Sequence, residues 1–147
     1  LADTGYPGMK VLEFAFDSRE PASDYLPHRY PRNCVVYTGT HDNDTARGWM
    51  ASLCQEDEAY ARRYLRLLPS HRLGWGMAQG AWASVADLAV IPMQDLLELG
   101  SEARINTPST VGTNWMWRLV PGQLPRGLAG RLRREMALYE RLPAPQI

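Results

Sequence analysis

Within the stretch Thr38-Gly39-Thr40-His41-Asp42-Asn43-Asp44-Thr45, hydroxyls, an imidazole and two carboxyl groups follow one another around a glycine. A plain turn with a helix cap needs only Asp44 or Thr45 from that set. The surplus, Thr40, His41 and Asp42, crowds polar and titratable side chains into one turn, which favours a functional site over a plain cap. Two further acidic residues, Glu13 and Asp17, sit in or just after another apolar run, and Gln94-Asp95 follow a third.

The elements that must carry these groups can be read from the flanking residues. Cys34 to Thr38 is a short β-branched and aromatic run, the pattern of a buried strand, and Asp44 or Thr45 is placed to cap the helix after it. The polar cluster therefore lies at the C-terminal end of a strand, which in (β/α)8 barrels is the catalytic face. Val11 to Phe16 reads as another strand, with Asp17 at its C-terminal end and Glu13 either pointing into a site or, more commonly for such a residue, an interior hydrogen-bonding group. Leu88 to Met93 reads as a third. Helices are expected from Asp44 to about Leu53, Gln55 to Leu68, Leu73 to Val85 and about Gly127 to Leu142. In the second of these Tyr60, Ala61, Tyr64, Leu65 and Leu68 share a face, and Glu58 and Arg62 can pair at i,i+4. Trp75 and Trp82 fall on the buried stripe of the third. In the last, Leu128, Leu132, Met136 and Tyr139 face inward and Arg131, Arg133 and Arg134 largely outward.

Apolar strands separated by helices or long segments imply parallel pairing and an α/β fold. The 147 residues amount to one domain or part of a larger one, and Leu1 in place of methionine suggests a piece of a longer chain. The 16 basic and 16 acidic residues cancel, which argues against a nucleic-acid groove or an anionic membrane surface. No apolar run has membrane-spanning length, and the two cysteines, Cys34 and Cys54, suggest reduced thiols and a cytoplasmic location. Residues 1–10 are turn-rich, and prolines at 21, 27 and 31 make 18–33 a long loop whose Tyr25-Leu26-Pro27-His28-Arg29-Tyr30-Pro31 is either packing or a sugar-facing wall. A second long polar loop, Ile105 to Arg118, ends in aromatics, and loops of that length are usually functional.

Several motifs in order, Val11 to Asp17, Tyr25-Leu26-Pro27-His28, Val36 to Asp44, Ile91-Pro92-Met93-Gln94-Asp95 and Asn114-Trp115-Met116-Trp117-Arg118, resemble the amylomaltases, the 4-α-glucanotransferases of glycoside hydrolase family 77. The resemblance implies that residues 1–147 are the C-terminal portion of a (β/α)8 catalytic domain, about strands six to eight with their helices, incomplete alone. It implies transfer of α-1,4-glucan segments between maltooligosaccharides with retention of configuration, and neither cofactor nor metal. By motif, Asp42 is the carboxylate that holds sugar hydroxyls in the distorted ring, and His41 is its hydroxyl-binding neighbour. Asp17, Asn106 and Asn114 are further substrate contacts, the last two equally suited to holding their loop. Trp115 and Trp117 are expected to pack that loop rather than to stack on sugar.

A retaining enzyme needs two carboxyl groups across the scissile bond. The resemblance places that nucleophile and acid/base after strands four and five, upstream of Leu1, so the chain by itself is expected to be inert. A slice of three strands leaves sheet edges and apolar surface open, and self-association is expected. The alternative is a non-catalytic domain that associates with itself or with a barrel-completing partner and retains weak glucan binding. A third reading, α-amylase-like hydrolysis, shares the histidine–aspartate logic, but the Asn-Trp-Met-Trp-Arg and Ile-Pro-Met-Gln-Asp motifs favour the transferase.

Overall fold

Cys34–Tyr37, the β-branched run, forms the central strand β2 of a parallel sheet in the computed structural model, which describes residues 5–20 and 22–143. Strand β1 (Gly8–Val11) lies on one side and β3 (Leu88–Val90) on the other, giving three strands in the order β1-β2-β3 among the described residues. The register pairs Met9 with Val35 and Val11 with Tyr37, then Val35 with Leu88 and Tyr37 with Val90. The helices are α1 (Ala46–Ser52), α2 (Gln55–Tyr64), α3 (Leu73–Trp82), the single turn α4 (Met93–Leu96) and α5 (Leu128–Leu138). No helix among the described residues is long and apolar enough to cross a membrane. The turn-rich reading of residues 1–10 falls partly, and that of Pro21 wholly, outside the described residues.

The chain divides into two compact units, Leu1–Trp117 and Arg118–Ile147. Both core clusters lie in the first. One face of the sheet buries Cys34 and Val36 with Tyr30, Ala81 and Ala86. The larger cluster gathers Leu12, Phe16, Leu26, Met50, Ala61 and Met77, with Trp49, Tyr60 and Tyr64 packed on it. The opposite sheet face carries Met9, Leu88 and Val90, which remain 59%, 57% and 38% exposed. Side chains alternate across a strand, so two sheet faces need two covers, and here one is covered. In the second unit, α5 starts after Gly127, whose φ of 85° suits glycine, and buries no residue fully. Its Leu128, Leu132, Met136 and Tyr139 are half-buried, as the stripe implied, but so is Arg131.

Several boundaries differ from the sequence reading: β3 ends at Val90 with Met93 already in α4, α5 ends at Leu138 short of Leu142, and three further cases have a visible cause. The expected strand Val11–Phe16 is the end of β1 followed by a 3-10 turn, Leu12–Ala15. Its burial shows why: Leu12, Glu13, Ala15 and Phe16 are inside while Phe14 is half exposed, a helical rather than a two-residue period. A continuous apolar run does not reveal which period applies. Helix α2 stops at Tyr64, short of Leu68, because Arg66 takes a φ of 56°. That left-handed residue turns Leu67, not Leu68, into the core and leaves Leu68 59% exposed. Helix α3 ends at Trp82, so Val85 is exposed. Trp75 and Trp82 are buried edge to face, 5.9 Å between centroids, as a packing stripe requires. Glu58 and Arg62 do pair, at 2.7 Å.

The loop 22–31 is a packing element. Tyr30 is buried with its hydroxyl donating to the Tyr25 carbonyl at 2.7 Å, Lys10 Nζ donates to the Asp24 carbonyl at 2.9 Å, and Tyr25 meets Phe14 edge-on.

Helix α3 approaches α4 so closely that a β-carbon at Gly74 would fall onto the Asp95 carbonyl oxygen. Backbone cannot yield as a side chain can, so Gly74→Ala is expected to destabilise the fold by about 1–3 kcal/mol, as overpacking does. Urea denaturation checks this, and an unchanged midpoint would mean that the α3–α4 contact is looser than described.

Candidate functional site

Thr38, the residue after β2, is fully buried, and its hydroxyl donates to Asp95 Oδ2 at 2.6 Å. The other oxygen of Asp95 accepts from the Ala46 amide at 2.8 Å, at the first turn of α1. Thr45 is the N-cap of α1, its Oγ1 accepting from Gly48 N at 3.1 Å, one of the two caps the sequence offered. The turn between Thr38 and Thr45 is thus pinned at both ends by one buried carboxyl.

Within the turn, Asn43 Oδ1 accepts from the amide and the hydroxyl of Thr40 at 2.9 and 2.7 Å, closing a tight loop. His41 and Asp42 project from its apex, both about half exposed, with His41 Nε2 3.4 Å from Asp42 Oδ1. Asn106 Nδ2 donates to the same Asp42 oxygen at 2.6 Å, and the Asn106 amide donates to the His41 carbonyl at 3.1 Å. Arg104 donates to the carbonyls of Asp42 and Asn106, at 2.7 and 2.8 Å. Trp115, held at a φ of 65°, places its ring 5.1 Å from that of His41. Thr40, His41 and Asp42 border an open cleft of about 540 Å³, lined also by Gln94 of α4, by Ile105, and by Met9, Tyr37 and Val90 of the uncovered sheet face.

Of the residues singled out from the sequence, the structure brings Asp42, His41 and Asn106 together. Asn114 sits one layer back: its Oδ1 accepts from the Thr107 amide at 2.9 Å and its Nδ2 donates to the Thr110 carbonyl at 3.1 Å, stapling the loop that carries Asn106. Asp17 lies apart from this group. It follows the 3-10 turn instead of ending a strand and pairs with Arg19 at 2.6 Å, and these hydrogen bonds hold its carboxyl down to about 2. Trp115 ties its loop to the site, its amide donating to the Ile105 carbonyl at 2.7 Å and its ring against His41, while it stays 55% exposed. The sequence reading passed over Arg104, whose guanidinium links both halves of the site. The only sequence signal for it is its position two residues before Asn106. Among the described residues no group of three or more acidic, histidine or cysteine side chains could hold a metal ion. Cys34 and Cys54 are free thiols.

Glu13 is the unexpected member. It is 6% exposed and its Oε1 is buried without a hydrogen-bond partner. Burial first, then the negative charges of Asp95 and Asp44, push its carboxyl up from 4.5 to about 9, against a smaller opposing pull from Arg104. Asp95 is also shifted up by burial, with its two hydrogen bonds opposing the shift.

A carboxyl raised on folding stabilises the protein fully below its unfolded pKa and loses that contribution as pH rises towards the folded value. Between pH 4.5 and about 9 the folded chain holds a proton that the unfolded chain has released. Stability therefore falls with pH there, by up to about 1.4 kcal/mol per pH unit from this residue. Glu13→Gln is expected to flatten that fall, so that its Tm gains on the wild type at pH 8 but not at pH 4.5. Parallel Tm–pH curves would show that Glu13 ionises freely.

A family model described as 4-alpha-glucanotransferase matches residues 1–123. The chain is similar to the 4-alpha-glucanotransferase of Clostridium butyricum, 47% identical over 94% of this chain and 28% of the relative. It is similar to that of Thermus thermophilus, 46% identical over 94% of this chain and 29% of the relative. It is similar to the chloroplastic/amyloplastic 4-alpha-glucanotransferase of Solanum tuberosum, 46% identical over 92% and 24%. Its structure is similar to an amylomaltase from Streptococcus agalactiae solved in complex with acarbose, with a TM-score of 0.93 and 38% identity over 97% of this chain and 29% of that one. The chain thus spans between a quarter and a third of the length of these proteins. Matched over residues 1–123 by the family model and over 94% of its length by a relative 47% identical, the chain belongs to the 4-alpha-glucanotransferase family.

Proposed function

We propose that this chain is the C-terminal part, about strands six to eight, of a (β/α)8 4-α-glucanotransferase catalytic domain, and that it supplies the hydroxyl-gripping side of a glucan site. The observation that carries this is the convergence of Asp42, His41 and Asn106 at the C-terminal end of β2. A carboxyl group held by Asn106 and flanked by an imidazole can accept hydrogen bonds from two sugar hydroxyls. Those bonds strengthen as positive charge develops at the anomeric carbon. Trp115, exposed beside His41, offers an apolar ring face at the same place. The ligand named with the amylomaltase relative, acarbose, is the natural probe for this cleft.

Transfer with retention requires a nucleophilic carboxylate and an acid/base about 5–5.5 Å apart. Glu13 is buried and protonated, Asp95 is consumed by Thr38 and Ala46, and Glu56, Asp57 and Glu58 occupy the first turn of α2, where acidic groups suit the helix dipole. None of these is available to attack a sugar. The chain by itself therefore binds without turning over, and transfer belongs to the completed barrel. The exposed sheet face and the free edges of β1 and β3 favour association with a barrel-completing partner or a second copy. Two free thiols fit a reducing compartment, the cytoplasm being the simplest.

Incubated with maltotriose, the chain is expected to release no glucose, while calorimetry shows acarbose binding that Asp42→Asn weakens about tenfold or more, the worth of a charge-assisted hydrogen bond. Glucose release that disappears with Asp42→Asn would reveal a complete catalytic pair within these residues. Acarbose binding indifferent to Asp42 would move the site elsewhere. In sedimentation velocity the chain should exceed monomer mass at micromolar concentration, and a clean monomer would count against the open sheet face as an association surface.

A further inference from the structure

We propose that Glu13 is a positioning residue for the sugar-gripping turn: its buried carboxyl fills the space under Gly39 and sets the path of the backbone into Thr40, His41 and Asp42. The proposal deepens the glucan-site reading and rests on it only for the identity of the ligand. Glu13 is brought there by its own backbone, whose amide donates to the Thr38 carbonyl at 3.1 Å, one step beyond the β1–β2 ladder. From that anchor its side chain reaches beneath Gly39, two residues past the end of β2. A β-carbon on Gly39 would stand 2.6 Å from Glu13 Oε1, 3.0 Å from its Cδ and 3.2 Å from Asn43 Cβ. Gly39 is itself buried, and the Glu13 carboxyl and the Asn43 side chain that closes the turn together fill the space where its β-carbon would stand.

The charged groups facing Glu13 come from three directions: Asp95 from α4, Asp44 from the turn ahead of α1, and Arg104 from the segment leading to Asn106. Asp95 is occupied by Thr38 and Ala46, and Asp44 Oδ2 by the Ser101 hydroxyl at 2.7 Å. Arg104 is the single cation of the set, and its hydrogen bonds go to the carbonyls of Asp42 and Asn106. While Glu13 keeps its proton, Arg104 is left to those two carbonyls. Once Glu13 ionises, an unsolvated negative charge lies between two others. Relief comes from the turn lifting to admit water, or from Arg104 leaving Asp42 for Glu13. Either displaces Asp42 from Asn106. The proton on Glu13 thereby becomes a condition of the site's geometry.

Two-dimensional amide NMR on the chain tests this without any ligand. The backbone amides of Gly39, Thr40 and Asp42 and the side-chain amide of Asn106 should titrate together in the wild type, with a common midpoint near 9. In Glu13→Gln, which keeps the volume and cannot ionise, that step should vanish, while any step shared by both proteins belongs to another group. Amides that stay flat through the Glu13 midpoint, or titrate identically in the variant, overturn the proposal. A second measurement needs no pH change. Gly39→Ala should shift the same amides and weaken acarbose binding about tenfold, and Glu13→Ala added to it should restore part of both. A double variant no better than Gly39→Ala alone overturns it too. Where Gly39→Ala fails to fold, the Glu13→Gln titration decides. Failure of the glucan-site reading shows separately, as a wild type that binds no acarbose while its amides still titrate.

Discussion

One buried carboxyl, Asp95, holds the functional end of this molecule together. Its two oxygens accept from Thr38 just after β2 and from Ala46 at the start of α1, and its own backbone carbonyl is the surface on which Gly74 of α3 rests. Strand, turn and three helices therefore meet at one side chain that is 2% exposed. Burying a carboxyl is costly unless both oxygens are satisfied, and here both are. The consequence is geometric. With its ends fixed by the same residue, the turn 39–45 has little freedom except at its apex, where His41 and Asp42 stand.

The apex is then set from two further sides. Laterally, Arg104 and Asn106 tie Asp42 to the loop that follows α4, and Asn114 holds that loop in shape. From beneath, the Glu13 carboxyl supports Gly39. A sugar-binding carboxylate needs such preorganisation, because a group that reorients on binding forfeits part of the interaction it makes. Polar groups in this arrangement divide their labour: Asp95 is saturated, Glu13 is neutral, and Asp42 keeps hydrogen-bonding capacity towards the cleft. The same architecture leaves one sheet face bare, with Met9, Leu88 and Val90 exposed. His41 and Asp42 share one cleft with Met9, Tyr37 and Val90 of that open face.

The sequence made the strand–turn–helix legible because Cys34 to Thr45 states each part locally: β-branched residues for the strand, glycine and asparagine for the turn, threonine for the cap. The family resemblance, carried by several short motifs in order, agrees with the matches over nearly the whole chain. Asp42, His41 and Asn106, singled out in this way, lie together in the structure. What escaped was decided by long-range contacts. Leu12–Ala15 coils because Leu12 and Phe16 must enter the same core, which no local propensity announces. Leu67 replaces Leu68 inside because Arg66 adopts a left-handed turn. Glu13 looked like one more polar residue on a strand, and Asp17 looked better placed. Only the approach of Gly39 in three dimensions makes Glu13 the residue beneath the site and leaves Asp17 to its surface pair with Arg19.

The most direct test of the account is to locate a bound glucan on the chain itself. A crystal structure or an amide shift map with maltotriose should place the sugar against Asp42, His41 and Asn106, with the Trp115 indole perturbed and the Tyr25–Tyr30 loop silent. Sugar bound at that aromatic loop, with the His41–Asp42 turn unaffected, would contradict the account at its centre.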